Sequence, residues 1–310
     1  MSELFYAYVC VEDDFILELM TDMTTQLGRA LVQEETIEDK NLYVLDYEKA
    51  SKIIENAEQV ALGVCYCRHV KHHLGEACDA PLETCMSFGN GAKSLAKNGY
   101  AKLISKDEAF KILGESKKNN LVQFAENVQN KVGFICNCCS CCCEVLANAR
   151  KSGLAQSINT SNYISTINND TCTGCSKCIK VCPMDAISLG QVEKDGKQRK
   201  IAIVDNERCI GCGVCVNNCN FDSITMEFRE ARVFTPVSLN HKLVLQAIEK
   251  GKLQNLIFRD HTKVNHRILA SIFGIILKLP PVKQLLATEQ LKSKYLKKQL
   301  KQLKKQGIPK

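Results

Sequence analysis

Apolar positions recur at roughly helical spacing from Asp14 to Leu31 and again from Tyr47 to Ala61, with a short extended run at Leu42–Leu45 between them. Ala61–Val64 reads as a short buried segment leading into the first cysteines. Ser105 with Glu108 three residues on is a capping box, which predicts a helix from Lys106 to about Glu115. Leu121–Ala125 is a shorter helical candidate, Lys131–Ile135 a strand, and a helix is expected from near Glu144 to Gly153. "VEKDGKQRKIAIVD" predicts a hairpin around an Asp195–Gly196 turn. Near the end, the run within Arg267–Leu279 is apolar, stops at Pro280 and Pro281, and is too short to cross a bilayer. Beyond Lys283, Leu285, Leu286, Leu296, Leu300 and Leu303 share much of one helical face. Lys292, Lys294, Lys297, Lys298, Lys301, Lys304 and Lys305 surround it, which predicts a basic amphipathic helix.

Charge divides the chain. The net +7 of 310 residues hides a segment, 232–310, with 17 Lys/Arg against three acids, or +14, so the first 231 residues carry −7. A basic end suits nucleic acid, anionic lipid or an acidic partner. No zinc-finger histidine pairing or RNA-binding aromatic motif supports nucleic acid. The segment is therefore expected to pack on its own domain, to dock on a partner, or to associate peripherally with an anionic membrane through residues 268–306. Met1 to Phe15 is acidic and lacks a signal-peptide cleavage region. With adjacent thiols that suit ligation better than disulfides, this points to a reducing cytoplasm, with the inner face of the cytoplasmic membrane as the alternative address.

The chemistry lies in nineteen cysteines. Cys172, Cys175, Cys178 and Cys182 run C-x2-C-x2-C-x3-C before Pro183, and Cys209, Cys212, Cys215 and Cys219 repeat the spacing 37 residues later. "CTGCSKCIKVCPMDAISL" aligns with "CIGCGVCVNNCNFDSITM" beyond the thiols, and the spacing is that of paired [4Fe-4S] clusters. Two separate zinc sites would ordinarily show paired C-x2-C knuckles instead. Over residues 165–230 the chain resembles the bacterial-type two-cluster ferredoxins. That resemblance implies two pseudo-symmetric halves, with one cluster on Cys172, Cys175, Cys178 and Cys219 and the other on Cys209, Cys212, Cys215 and Cys182. The departure is Asn220, where the first copy has Pro183.

Two further cysteine groups precede this repeat. Cys65, Cys67, Cys78 and Cys85 form C-x-C-x10-C-x6-C, and four thiols within 21 residues suit a third [4Fe-4S] cluster, with structural zinc as the rival. Arg68, His69, Lys71, His72 and His73 adjoin them as a basic surface or a proton and anion site. Cys136, Cys138, Cys139, Cys141, Cys142 and Cys143 put six thiols into eight positions, more than one cubane needs. A subset binds metal, a pair carries thiol redox chemistry, or Cys136 or Cys138 completes the Cys65–Cys85 site. "FGNGAK" lacks the glycine spacing and the preceding strand of a dinucleotide fingerprint, and Cys10 reads as packing.

The expected fold class is α+β. A ferredoxin-like two-[4Fe-4S] module at 165–230 is fused to a cysteine-rich mixed α/β N-terminal domain at 1–160 and a basic helical extension at 232–310. The expected function is electron transfer through the paired clusters and at least one upstream cluster, to or from a redox protein partner or reductase. The alternative is an oxidoreductase or thiol/disulfide reductase with its active site in the N-terminal cysteines.

Overall fold

The computed structural model describes residues 25–37, 44–152, 158–194, 197–258 and 262–278. Cys10, the first part of the Asp14–Leu31 segment, residues 42–43, the Asp195–Gly196 turn and the basic helix beyond Lys283 lie outside the described residues. The chain divides into two compact units, one containing residues 26–235 and the other Thr25 with the described residues from Pro236 onward.

The first unit mixes helices and strands. Its six-stranded sheet is built from β1 (Gly28–Ala30), β2 (Val60–Val64), β3 (Glu83–Phe88), β4 (Ala101–Ile104), β5 (Val122–Glu126) and β6 (Phe134–Cys138). The order is β1-β5-β6-β3-β2-β4, and every neighbouring pair is antiparallel. Between strands run α1 (Ala50–Glu55), α2 (Tyr66–His73), α3 (Gly89–Lys97) and α4 (Lys106–Lys118), and α5 (Glu144–Ser152) follows β6. The expected Ser105 N-cap forms at α4, where Ser105 Oγ accepts from the Glu108 amide at 3.1 Å.

Successive side chains of a strand point to opposite faces, so the sheet presents two different surfaces. On one face Met86, Phe88, Ala125 and Ile135 pack against Ile53 and Ile54 of α1 and Ala109 and Leu113 of α4. Val122, Phe124, Phe134, Cys136 and Cys138 belong to the opposite core, with Leu146 and Ala149 of α5. The register that pairs Cys136 with Phe124 and Cys138 with Val122 places these thiols in an apolar layer.

Five local expectations change. Gly28–Ala30 is a strand, not the end of a helix, because all three residues are buried beside β5. The Tyr47–Ala61 periodicity supports an α-helix only at α1, after a single 3-10 turn at Asp46–Glu48, and the consecutive buried residues Val60, Ala61 and Leu62 pass into β2. Of the Leu121–Ala125 segment, Val122–Ala125 lie in β5: all four residues are buried, and covering both faces erases the alternation that marks a strand. The strand expected at Lys131–Ile135 lies later, so β6 itself carries Cys136 and Cys138. A strand, β3, does precede "GNGAK", although the glycine spacing still departs from a nucleotide fingerprint and the sheet is antiparallel.

The rest of this unit contains β7 (Tyr163–Ile167), α6 (Lys177–Val181), β8 (Ile187–Lys194), β9 (Lys197–Val204), α7 (Val214–Asn217) and β10 (Ile224–Phe228). β8 and β9 form the expected hairpin, and β7 pairs with β10. The second unit contains α8 (Leu239–Glu249), α9 (Leu253–Ile257) and α10 (Val264–Lys278), with Val244 and Leu253 at its core. Thr25 is held there by its amide and hydroxyl on the Glu249 carboxylate, at 3.1 and 2.5 Å. Among the described residues no helix is long and apolar enough to cross a membrane.

Candidate metal centres

The 37-residue repeat is a repeat of backbone geometry as well as of thiols. Left-handed conformations occur in pairs at that offset: Gly174 and Gly211, Ser176 and Gly213, Asp185 and Asp222. Hydrogen bonds follow. The Asn168 amide donates to Ser223 O at 2.8 Å, and the Asp205 amide to Ala186 O at 2.7 Å, so each half closes on the other. The Cys172 and Cys209 amides both donate to the residue four before, Asn168 and Asp205, at 3.0 Å. Strand pairing obeys the same exchange, with Ile224 opposite Ile167 and Ile187 opposite Val204. At Gly211 a Cβ would stand 2.0 Å from Tyr163 O and 2.3 Å from Ser161 Oγ, so the loop admits only glycine there.

The two halves also meet through their thiols. Cys182 lines one pocket with Cys209, Cys212 and Cys215, closed by Pro183, Met184, Ile187 and Ile210. Cys172, Cys178 and Cys215 pack in a second apolar cluster, with Cys182 and Cys219 at its margin. Amides reach Cys182 and Cys219 symmetrically: Ala186 N donates to Cys182 Sγ at 3.3 Å and Ser223 N to Cys219 Sγ at 3.4 Å. Ala202 N reaches Cys172 Sγ at 3.5 Å. Ser165 Oγ lies 3.1 Å from Cys215 Sγ and 4.0 Å from Cys209 Sγ, a partner that the cysteine spacing did not disclose.

Burial pushes the Cys215 thiol up to about 12 despite the Ser165 hydroxyl, and pushes Cys212 well above the ordinary thiol range. Thiolates in this pocket therefore need a compensating positive centre, and amide donors aimed at sulfur are the surroundings that tune an iron–sulfur cluster. The donor set fits the iron of a [4Fe-4S] cluster. Residues 171–223 match the family model of the 4Fe-4S dicluster domain. Comparison with curated proteins finds no match to the chain. An iron–sulfur domain is thus set within a larger chain.

The two halves of this iron–sulfur domain differ in exposure. Cys175 is exposed, whereas its counterpart Cys212 is buried. Pro183 is buried against the apolar layer, whereas Asn220 faces solvent, which accounts for an amide being tolerated in the second copy. Met184, Ala186, Cys209, Ile210, Cys212 and Val214 share one hydrophobic cluster with Cys138, Cys143, Val122 and Phe124.

The ten upstream thiols do not sort by sequence group. Cys78, expected to join Cys65, Cys67 and Cys85, instead meets Cys139, Cys141 and Cys142, all four sulfurs lying within 4.8 Å of one another. Cys85 Sγ lies 3.7 Å from Cys136 Sγ and also contacts Cys65. Cys143 contacts Cys67 and Cys138, and Cys138 contacts Cys136. The physical reason is the sheet: β3 and β6 are neighbours, so Cys85 faces Cys136, while the loop before β3 carries Cys78 to the turn after β6. Contacts from Cys138 and Cys85 hold the Cys136 thiol down at about 5, and contacts from Cys136 and Cys143 push Cys138 well up. Burial opposes ionisation of Cys78, but the Ala80 amide, Cys141, Cys139 and Arg68 outweigh it and bring Cys78 to about 7.

The expected basic surface beside these thiols is largely spent. Arg68 is 1% exposed and donates to Pro81 O, to Thr84 Oγ1 at 3.2 Å and to Asn137 O at 3.4 Å, besides contacting Cys139 and Cys78. Lys71 pairs with Glu76 at 2.7 Å. His69 and His73 face each other at 3.1 Å, with His72 and His73 exposed. Arg68 as a guanidinium inside the thiol nest was not legible, since a basic residue after a cysteine ordinarily reads as surface.

Proposed function

We propose that the chain is an iron–sulfur electron-transfer protein, with one [4Fe-4S] cluster held by Cys172, Cys175, Cys178 and Cys219 and a second by Cys182, Cys209, Cys212 and Cys215. When bound, such clusters supply one-electron carriage. The chain's part is to hold the thiolates, to donate amides to Cys182 and Cys219, and to keep water from the Cys212 pocket. The observation that carries the reading is the shared apolar cluster joining Cys209 and Cys212 to Cys138 and Cys143, a dry continuity between the iron–sulfur domain and the upstream thiols. The exposed Cys175 side, with exposed Phe221 near Cys219, suits a redox protein partner or reductase.

The test is a pair of variants, Cys182→Ser and Cys219→Ser, read by iron, labile sulfide and electron paramagnetic resonance of the reduced protein. Each should disturb a different one of two signals, Cys182→Ser that of the Cys209–Cys215 half and Cys219→Ser that of the Cys172–Cys178 half. If each variant disturbs the half in which its own residue lies, the exchange of ligands is wrong.

A second reading, thiol redox chemistry at the upstream site, is favoured by the exposed Cys141 in contact with the Cys78 thiol, which is drawn down to about 7. It requires reactive thiols there in the native protein, so rapid alkylation of Cys78 supports it and protection by bound metal refutes it. A cytoplasmic address and peripheral attachment to anionic membrane belong to this proposal on the strength of the +14 carried by residues 232–310.

A further inference from the structure

We propose that Cys78, Cys139, Cys141 and Cys142 hold one mononuclear divalent metal ion, zinc or ferrous iron, in a tetrahedral all-thiolate site. Their four sulfurs lie within 4.8 Å of one another, with Cys141 to Cys142 at 3.6 Å and Cys142 to Cys78 at 3.8 Å. A metal–sulfur bond of about 2.3 Å in a tetrahedron sets the edge between thiolates at about 3.8 Å. A cubane sets its cysteinyl sulfurs roughly 6 Å apart, because each caps a different iron. The four thiols therefore have the spacing of a single ion. Among the described residues no three ligand atoms of the iron–sulfur domain gather within the same 4.8 Å, so the two kinds of thiol set differ within one molecule.

The local chain explains how adjacent cysteines converge. Cys139 leaves β6, residues 140–142 make a tight turn closed by the Cys143 amide on Cys139 O at 3.3 Å, and α5 begins at Glu144. That turn swings Cys141 and Cys142 onto one side, and Cys78 arrives from the loop between α2 and β3. Four thiolates and a divalent ion leave two negative charges. The buried Arg68, in contact with Cys139 and Cys78, supplies a compensating cation, and its bonds to Thr84 and Asn137 fix it there. The ion clamps the Cys78 loop to the β6–α5 turn and so fixes the thiols packed beneath it.

The test uses the full chain purified without oxygen, with metal analysis and X-ray absorption at the zinc and iron edges. About one zinc per chain with four sulfurs at about 2.3 Å and no metal neighbour is the expected result. One iron unaccompanied by labile sulfide supports the same site with the other ion. Cys78→Ser and Cys142→Ser should each lose about that one equivalent and leave labile sulfide unchanged. Loss of iron and sulfide together in these variants would overturn the proposal, as would a wild-type protein holding no metal beyond its clusters. If either variant fails to fold, the wild-type absorption spectrum still decides. Failure of the two-cluster reading appears separately, as a deficit of iron and sulfide in the wild type.

Discussion

Cys175 and Cys212 occupy equivalent places in the repeat, yet one is exposed and the other buried. Cluster survival depends on access of oxidant to the cluster, so the Cys172–Cys178 half should bleach first under limited air. Iron loss is expected in two phases, the fast one absent from a Cys175→Ser protein that lacks that cluster. A single phase common to both proteins would mean that burial of Cys212 gives no protection. The iron–sulfur domain at 171–223 was legible because its cysteine spacing is local to each half. Ser165 and Arg68 were not: Ser165 meets the sulfurs of residues 209–215, and Arg68 meets Cys139 across the sheet as well as the nearer Cys78.

At the scale of elements, α4 is the case where sequence and structure coincide at the cap. Ser105→Ala removes the bond to the Glu108 amide, and the expected cost is about 1 kcal/mol, read as a lower thermal midpoint with cluster absorbance intact. No change in midpoint would show that tertiary packing of Ala109 and Leu113 alone holds the helix. The α5 helix and the β8–β9 hairpin were also legible, from a run beginning at Glu144 and from turn chemistry. β5 was not, because its central position buries Val122 to Ala125 on both faces and leaves no period of two. The displaced β6 mattered most for the site, since it turned Cys136 and Cys138 from loop thiols into residues of a sheet face.

For the whole molecule, the order β1-β5-β6-β3-β2-β4 could not be read from local pattern, and it decides that Cys85 meets Cys136 and that Cys78 meets the turn after β6. Composition did show the charge asymmetry. If residues 232–310 act at an anionic surface, the full chain should float with phosphatidylserine vesicles at low salt and be released at several-fold higher salt. Equal behaviour with neutral vesicles would remove the electrostatic case. The central claim is that residues 171–223 hold two clusters. Its most direct measurement is iron and acid-labile sulfide per chain in protein purified without oxygen. At least about 8 of each is the predicted result, and about 4 or fewer, or zinc in place of iron, would contradict it.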